Sequence, residues 1–235
     1  MNILIAGASR GIGYELVLEL SKSPDHRIIA ISRNNESLLQ LQEKCIEISG
    51  HDNVIAFPFD LTDFSALKND FISDIKKYIS SIDILINNAG QLVGKSFSGF
   101  KESDFDQCFN TNIKAPFFLI KNCLSLLSSK AHIVNIGSMG GVQGSVKFPG
   151  LSAYSASKGA LAILTECLAE EYKEKDWSFN CLALGAAQTE MLKEAFPGYK
   201  APLSANEMAL FIADFALNGN RYFKGKVLPV ALTTP

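Results

Sequence analysis

The sequence predicts an α/β protein, a doubly wound parallel sheet of about seven strands with helices on both faces. Three observations predict it. Short β-branched runs alternate with longer amphipathic stretches, the pattern of repeated βαβ units with right-handed crossovers. Most of the runs are continuously apolar, as strands covered by helices on both sides must be. The first run ends in a glycine-rich turn that leads straight into a helical pattern.

Strands are expected at Asn2–Ala6, Arg27–Ser32, Val54–Phe57, Ile82–Asn87, His132–Gly137, Ser178–Leu184 and Lys226–Val230. Between them, Gly13–Ser21 carries Leu16, Val17 and Leu20 at helical spacing, and Glu36–Ile48 carries Leu38, Leu41 and Cys45. Thr62 or Asp63 offers an N-cap for a segment running to Tyr78. Further helices are expected at Ser103–Ser128, Ser152–Lys175 and Ala205–Leu217. No linker, low-complexity tract or internal repeat interrupts this order, so residues 1–235 read as one domain of Rossmann type.

Composition narrows the function. Lys and Arg number 22 against 24 Asp and Glu, a net charge of −2, so there is no basic field for nucleic acid or an anionic membrane. The cysteines at 45, 108, 123, 167 and 181 form no C-x-x-C or Cys/His cluster, which argues against a disulfide framework and a zinc site. The apolar start Ile3–Ala6 is too short for a signal peptide, and no run is long enough to span a membrane. A cytoplasmic location is expected.

The turn after the first strand reads Gly7-Ala8-Ser9-Arg10-Gly11-Ile12-Gly13. Glycines let a backbone approach a pyrophosphate, and the following helix start offers free N–H groups and a positive dipole end. Gly7, Ser9, Arg10, Gly11, Ile12 and Gly13 are therefore the candidate phosphate cradle. A glycine turn that merely packs helix on strand remains the plainer reading. The second strand ends Ile31-Ser32-Arg33-Asn34, without the acidic residue that would hold a ribose 2′-hydroxyl. Ser32 and Arg33 can donate to a 2′-phosphate instead, and Arg10 offers a second positive charge, so NADP(H) is the expected cofactor.

Tyr154 and Lys158 stand four residues apart at the start of a helical pattern, which puts both on one face. A nearby ammonium favours the phenolate and would lower the tyrosine pKa. A surface tyrosine lying over a lysine stem has the same spacing. Ser138 ends a strand at the sheet edge where ligands of such sheets bind, and Asn87-Asn88-Ala89-Gly90 ends another there.

Taken together, Gly7–Gly13, Asn87–Gly90, the strand-end Ser138 and the Tyr154/Lys158 pair, in this order and at these distances, resemble the short-chain dehydrogenase/reductase family over nearly the whole chain. The resemblance implies roles. Tyr154 would be the general acid/base. Lys158 would lower its pKa and bind the nicotinamide ribose, and Ser138 would polarise the substrate oxygen. Asn112 would be the fourth catalytic residue, with Asn110 as the other candidate. Asp60 and Leu61 would contact adenine, and Asn88, Ala89, Gly90, Gly185, Ala187 and Thr189 would complete the cofactor edge. No metal is implied. A small carbonyl or alcohol substrate and a homodimer or homotetramer are expected.

The sequence departs from the family pattern in places. Leu184-Gly185 replaces the usual Pro-Gly, which predicts a looser turn near the nicotinamide. The segment from Thr189 to the helix near Glu207 is short and predicts an open or shallow site. The ending Val227–Leu232 lacks the usual acidic-Gly-Gly sequence. The resemblance is greatest to 3-oxoacyl-[acyl-carrier-protein] reductases. Reduction of small ketones, aldehydes, sugars or pterins is the alternative within the enzyme class, and a dinucleotide-sensing regulator with little turnover is the alternative outside it.

Overall fold

A computed structural model describes residues 1–232, so the last three residues of the expected domain lie outside the described residues. Seven parallel strands form one sheet: β1 Asn2–Ala6, β2 Arg27–Ser32, β3 Val54–Pro58, β4 Ile82–Asn87, β5 Leu127–Ser138, β6 Ser178–Leu184 and, at the end of the described chain, β9 Lys226–Val230. Their order is β3-β2-β1-β4-β5-β6-β9. The chain starts in the middle, winds outward to β3, then crosses back to β4. The order therefore reverses between β1 and β4, and their carboxyl ends part to leave a crevice.

The alternation of side chains along β1 explains both layers. Ile3 and Ile5 join one buried cluster with Leu16 and Val17 of α1 (Gly11–Leu20), Leu38 and Leu41 of α2 (Asn35–Ser49) and Ile212 of α9 (Ala205–Asn218). Leu4 and Ala6 face the other way, into a cluster with Leu67 of α3 (Phe64–Asn69), Phe71 of α4 (Phe71–Ile75) and Leu119 of α6 (Ala115–Cys123). The continuously apolar strands are thus covered on both faces.

Two expected helices are broken. Asp63 caps α3, its carboxylate accepting from the Ser65 and Ala66 N–H groups, but the segment to Tyr78 divides at Asp70 into two short helices. The stretch 103–128 is not one helix either. α5 (Glu102–Phe109) passes through a π turn at Asn110–Lys114 before α6, and β5 begins at Leu127, five residues before the expected His132. Ser128, Ser129 and Lys130 are polar strand residues that an apolar pattern does not reveal. α7 (Ser152–Glu171) stops short of Lys175. Between β6 and α9 lie two strands of two residues each, β7 (Ala187–Gln188) and β8 (Leu203–Ser204), which pair in parallel around α8 (Glu190–Ala195). No described helix is long and apolar enough to cross a membrane.

One polar cluster lies buried on the α9 face. The His132 ring contacts the Ala216 carbonyl through Nδ1 at 2.9 Å and the Asn180 carboxamide through Nε2 at 3.0 Å. Burial lowers its pKa to about 4. The folded state then resists a proton that the unfolded chain accepts, so stability is full above the unfolded value and falls as pH drops towards the folded one. We expect wild type to lose about 2 kcal/mol of unfolding free energy from this residue between about pH 7 and pH 5. Urea unfolding at the two pH values checks this, with His132→Gln expected to flatten the difference.

Candidate active site

A cavity of about 590 Å³ opens along the carboxyl edge of the sheet, from the ends of β1, β2 and β3 across to α7 and the β7–α8–β8 segment. Its form depends on two missing Cβ atoms. At Gly7, φ is +83°, and a Cβ would lie 2.6 Å from the Ala89 Cα. At Gly13 a Cβ would lie 2.0 Å from the Gly7 carbonyl oxygen. Both contacts are shorter than side chains tolerate, so the first turn of α1 can close on β1 only with glycine at these positions. Asn88 completes the clasp, its Nδ2 donating to the Gly7 carbonyl at 2.7 Å. Arg10, the N-cap of α1, makes no side-chain cap, so the first amides of this helix are left for an anion.

Gly7, Ser9, Arg10, Gly11 and Ile12 line the cavity, with Ser32 and Arg33 beyond β2, Asp60 and Leu61 beyond β3, Asn88, Ala89 and Gly90 beyond β4, and Gly185, Ala187 and Thr189 beyond β6. Two expected cofactor residues do not. Gly13 is buried against Gly7, and the Asn34 side chain is taken up as the N-cap of α2, accepting from the Ser37 N–H at 3.0 Å. Thr189 does two things: it lines the cavity, and its hydroxyl caps α8 by accepting from the Leu192 N–H at 3.2 Å. Arg10 also reaches the short segment, its guanidinium 3.3 Å from Glu194 on α8, so it ties the glycine loop to the cover. The turn after Leu184, expected to be looser without proline, is held by the Gly185 N–H donating to the Val230 carbonyl at 2.8 Å. The cover is short but structured, with Phe196 meeting Phe148 edge-on at 6.2 Å, and the cavity remains partly open to solvent.

Ser138, Tyr154 and Lys158 come together at the other end. Ser138 is the last residue of β5, and Tyr154 and Lys158 occupy the first turns of α7. Glycine at 141 lets α7 approach, since a Cβ there would lie 2.7 Å from the Gly159 nitrogen. Burial raises the Tyr154 pKa, with the neighbouring Ser138 hydroxyl pulling it down. Lys158 is buried and donates to the Ile136 carbonyl at 2.7 Å, its ammonium 6.0 Å from the Tyr154 ring centre. Burial brings its pKa down to about 8, with Cys181 acting weakly the other way. The Lys158 ammonium does not offset the rise at Tyr154, where burial prevails and only the Ser138 hydroxyl acts against it. The phenol stays protonated at neutral pH.

Asn112 does not line the cavity. It is fully buried in the π turn, where its oxygen accepts from the Gln91 N–H at 2.8 Å and its Nδ2 donates to the Gln91 carbonyl at 2.9 Å and to Ser157 Oγ at 2.9 Å. Ser157 in turn donates to the Tyr154 carbonyl at 2.7 Å. One carboxamide thus fixes the segment after Gly90 and, through Ser157, the first turn of α7. Sequence reasoning missed Ser157 and Gln91; the position before the lysine of the Tyr154/Lys158 pair was the available signal for Ser157. Asn110, the other candidate, instead supplies a backbone carbonyl to the Ala115 N–H.

Comparison with known proteins agrees with this geometry. The family model for short chain dehydrogenase matches residues 1–200, and the chain belongs to that family of oxidoreductases, which act on CH–OH or C=O groups. It is 35% identical to a gluconate 5-dehydrogenase of Gluconobacter oxydans over 80% of this chain and 72% of that protein. It is 31% identical to the 3-oxoacyl-[acyl-carrier-protein] reductase of Rickettsia typhi over 97% of this chain and 93% of that one. A short chain dehydrogenase of Burkholderia cenocepacia, solved in complex with NADP, superimposes with a TM-score of 0.84 at 24% identity, covering 97% of this chain and 95% of that one.

Replacing Asn112 with leucine would leave a part-buried N–H and C=O of residue 91 without their protein partners, at a cost of about 1–2 kcal/mol. Urea unfolding of Asn112→Leu against wild type measures it.

Proposed function

We propose that this chain is an NADP(H)-dependent carbonyl reductase on a single domain, with Ser138, Tyr154, Lys158 and Asn112 as its catalytic set. The observation that carries this is the meeting of Ser138, Tyr154 and Lys158 in one cavity with the glycine loop and with Arg33. The residues fit a phosphorylated dinucleotide. Gly7 and Gly13 keep the loop closed where a Cβ would not fit, and α1 offers free amides to the pyrophosphate. Ser32 and Arg33 line the wall at the end of β2, where the strand itself carries no carboxylate, which favours a 2′-phosphate over a bare ribose. The NADP-bound structural neighbour supports the same choice. Lys158 and Tyr154 would hold the nicotinamide ribose, with Thr189 near the carboxamide.

The cofactor, when bound, supplies the hydride. The Ser138 hydroxyl donates a hydrogen bond to the substrate carbonyl oxygen and polarises it. Tyr154, whose phenol carries its proton at neutral pH, gives it to that oxygen as the carbon becomes tetrahedral. Lys158, while charged, stabilises the phenolate that remains. Asn112 acts as a positioning residue through Gln91 and Ser157. The relatives make a 3-oxoacyl thioester one substrate to test. We place the enzyme in the cytoplasm as a homodimer or homotetramer acting on a small molecule. A dinucleotide sensor without turnover would have no use for Ser138 and Tyr154 side by side at the end of the cavity.

Replacing Tyr154 with phenylalanine should lower kcat by about 100-fold or more while NADPH still binds. Stopped-flow reduction and fluorescence titration of NADPH separate the two effects, and near-wild-type turnover removes Tyr154 as the acid. Arg33→Ala should weaken NADPH about tenfold more than NADH. Equal losses, measured by titration, would remove the 2′-phosphate assignment. Reduction by wild type should slow as pH rises through about 8, where Lys158 loses its charge. A rate unchanged across that range would count against its role.

A further inference from the structure

We propose that the substrate is a neutral carbonyl compound with a flat apolar body that lies against the exposed face of Phe148, beside Phe196, and that the cavity rejects substrates bearing a carboxylate or phosphate. This rests on the reductase reading and narrows it. The wall around the Tyr154 end is built from Leu92, Met139, Phe148, Leu151, Met191 and Phe196. The charged side chains of the cavity are Arg10, Arg33, Asp60, Lys158 and Glu190. Arg10, Arg33 and Asp60 follow β1, β2 and β3, at the dinucleotide end. The Glu190 Oε2 lies 3.5 Å from where a Cβ on Gly11 would stand, so it also faces the glycine loop. Lys158 is buried, donates to the Ile136 carbonyl, and in the reductase reading turns its remaining donors to the nicotinamide ribose.

Three cations of the neighbouring loops are engaged as well. Lys147, next to Phe148, folds its ammonium onto its own loop, donating to the Val142 carbonyl at 2.6 Å and the Ser145 carbonyl at 3.0 Å. Lys95 pairs with both oxygens of Asp104 at 2.7 Å, and Arg10 pairs with Glu194. Lys193 and Lys200 belong to the cover but not to the cavity wall. An anionic substrate would therefore lose its water at this end without gaining an uncommitted cation in the cavity wall. Phe148, in contrast, stays 44% exposed despite its contact with Phe196, an apolar surface that a flat ligand can cover.

The test compares two ketones alike at the reacting carbon, the methyl ester of para-acetylbenzoic acid and the free carboxylate, by NADPH consumption with full-length enzyme. The ester is expected to have a kcat/KM about 100-fold higher. In Phe148→Ala and Phe196→Ala, KM for the ester should rise about tenfold with NADPH affinity unchanged. Equal or better use of the carboxylate, or an unchanged KM in both variants, overturns the apolar contact and leaves the reductase reading standing. Tight NADPH binding without consumption with either compound or with a wider set of ketones, aldehydes and acyl thioesters overturns the reductase reading itself.

Discussion

Among the described glycines, the two with the least room for a Cβ join the first turn of α1 to the ends of β1 and β4. Gly13 sits on the Gly7 carbonyl, and Gly7 on the Ala89 backbone, with no space for a methyl group at either contact. Everything at the carboxyl edge of the sheet is set by that approach. It fixes where the free amides of α1 point. Through Asn88 it also fixes the strand end that carries Gly90 and Gln91. Asn112 then reads the backbone of Gln91, and Ser157 relays that position to Tyr154. The glycine-loop end and the Tyr154 end of the cavity are thereby held in one frame through backbone contacts, with little reliance on long side chains.

The site also separates two electrostatic environments. At the open end, Arg33 and Asp60 lie near water, where charge is cheap to keep. At the closed end, burial pushes Tyr154 up and Lys158 down, and both shifts favour the neutral forms. A tyrosine that keeps its proton is suited to protonating an alkoxide, and a lysine near neutrality can follow the pH of its surroundings. The ion pair between Arg10 and Glu194 is exposed and contributes little to stability. Its effect is on where the short cover rests.

Much of this was legible before the structure. The strands were readable because burial on both faces leaves them apolar, and six of the seven begin where the pattern begins. β5 is the exception, since Ser128, Ser129 and Lys130 are polar strand residues outside the core. The π turn at 110–114 was hidden because its neighbours on both sides carry ordinary helical spacing. Ser138, Tyr154 and Lys158 could be found from residue type and spacing. Gln91 and Ser157 could not, because their importance lies in which backbone and side-chain atoms meet after folding. The two-residue strands β7 and β8 are too short for any period to show, so the cover looked like a bare loop.

The way Asn112 holds residue 91 has a consequence for how such a site can diversify. Its contacts there are with the N–H and C=O groups, which every residue except proline possesses. The brace is therefore indifferent to the side chain it carries, and the Gln91 side chain is part of the cavity wall. Position 91 can be exchanged without dismantling the frame that aligns Tyr154. The shape of the cavity wall and the position of the frame are in this respect separate inheritances of the same residue, one carried by its side chain and the other by its peptide.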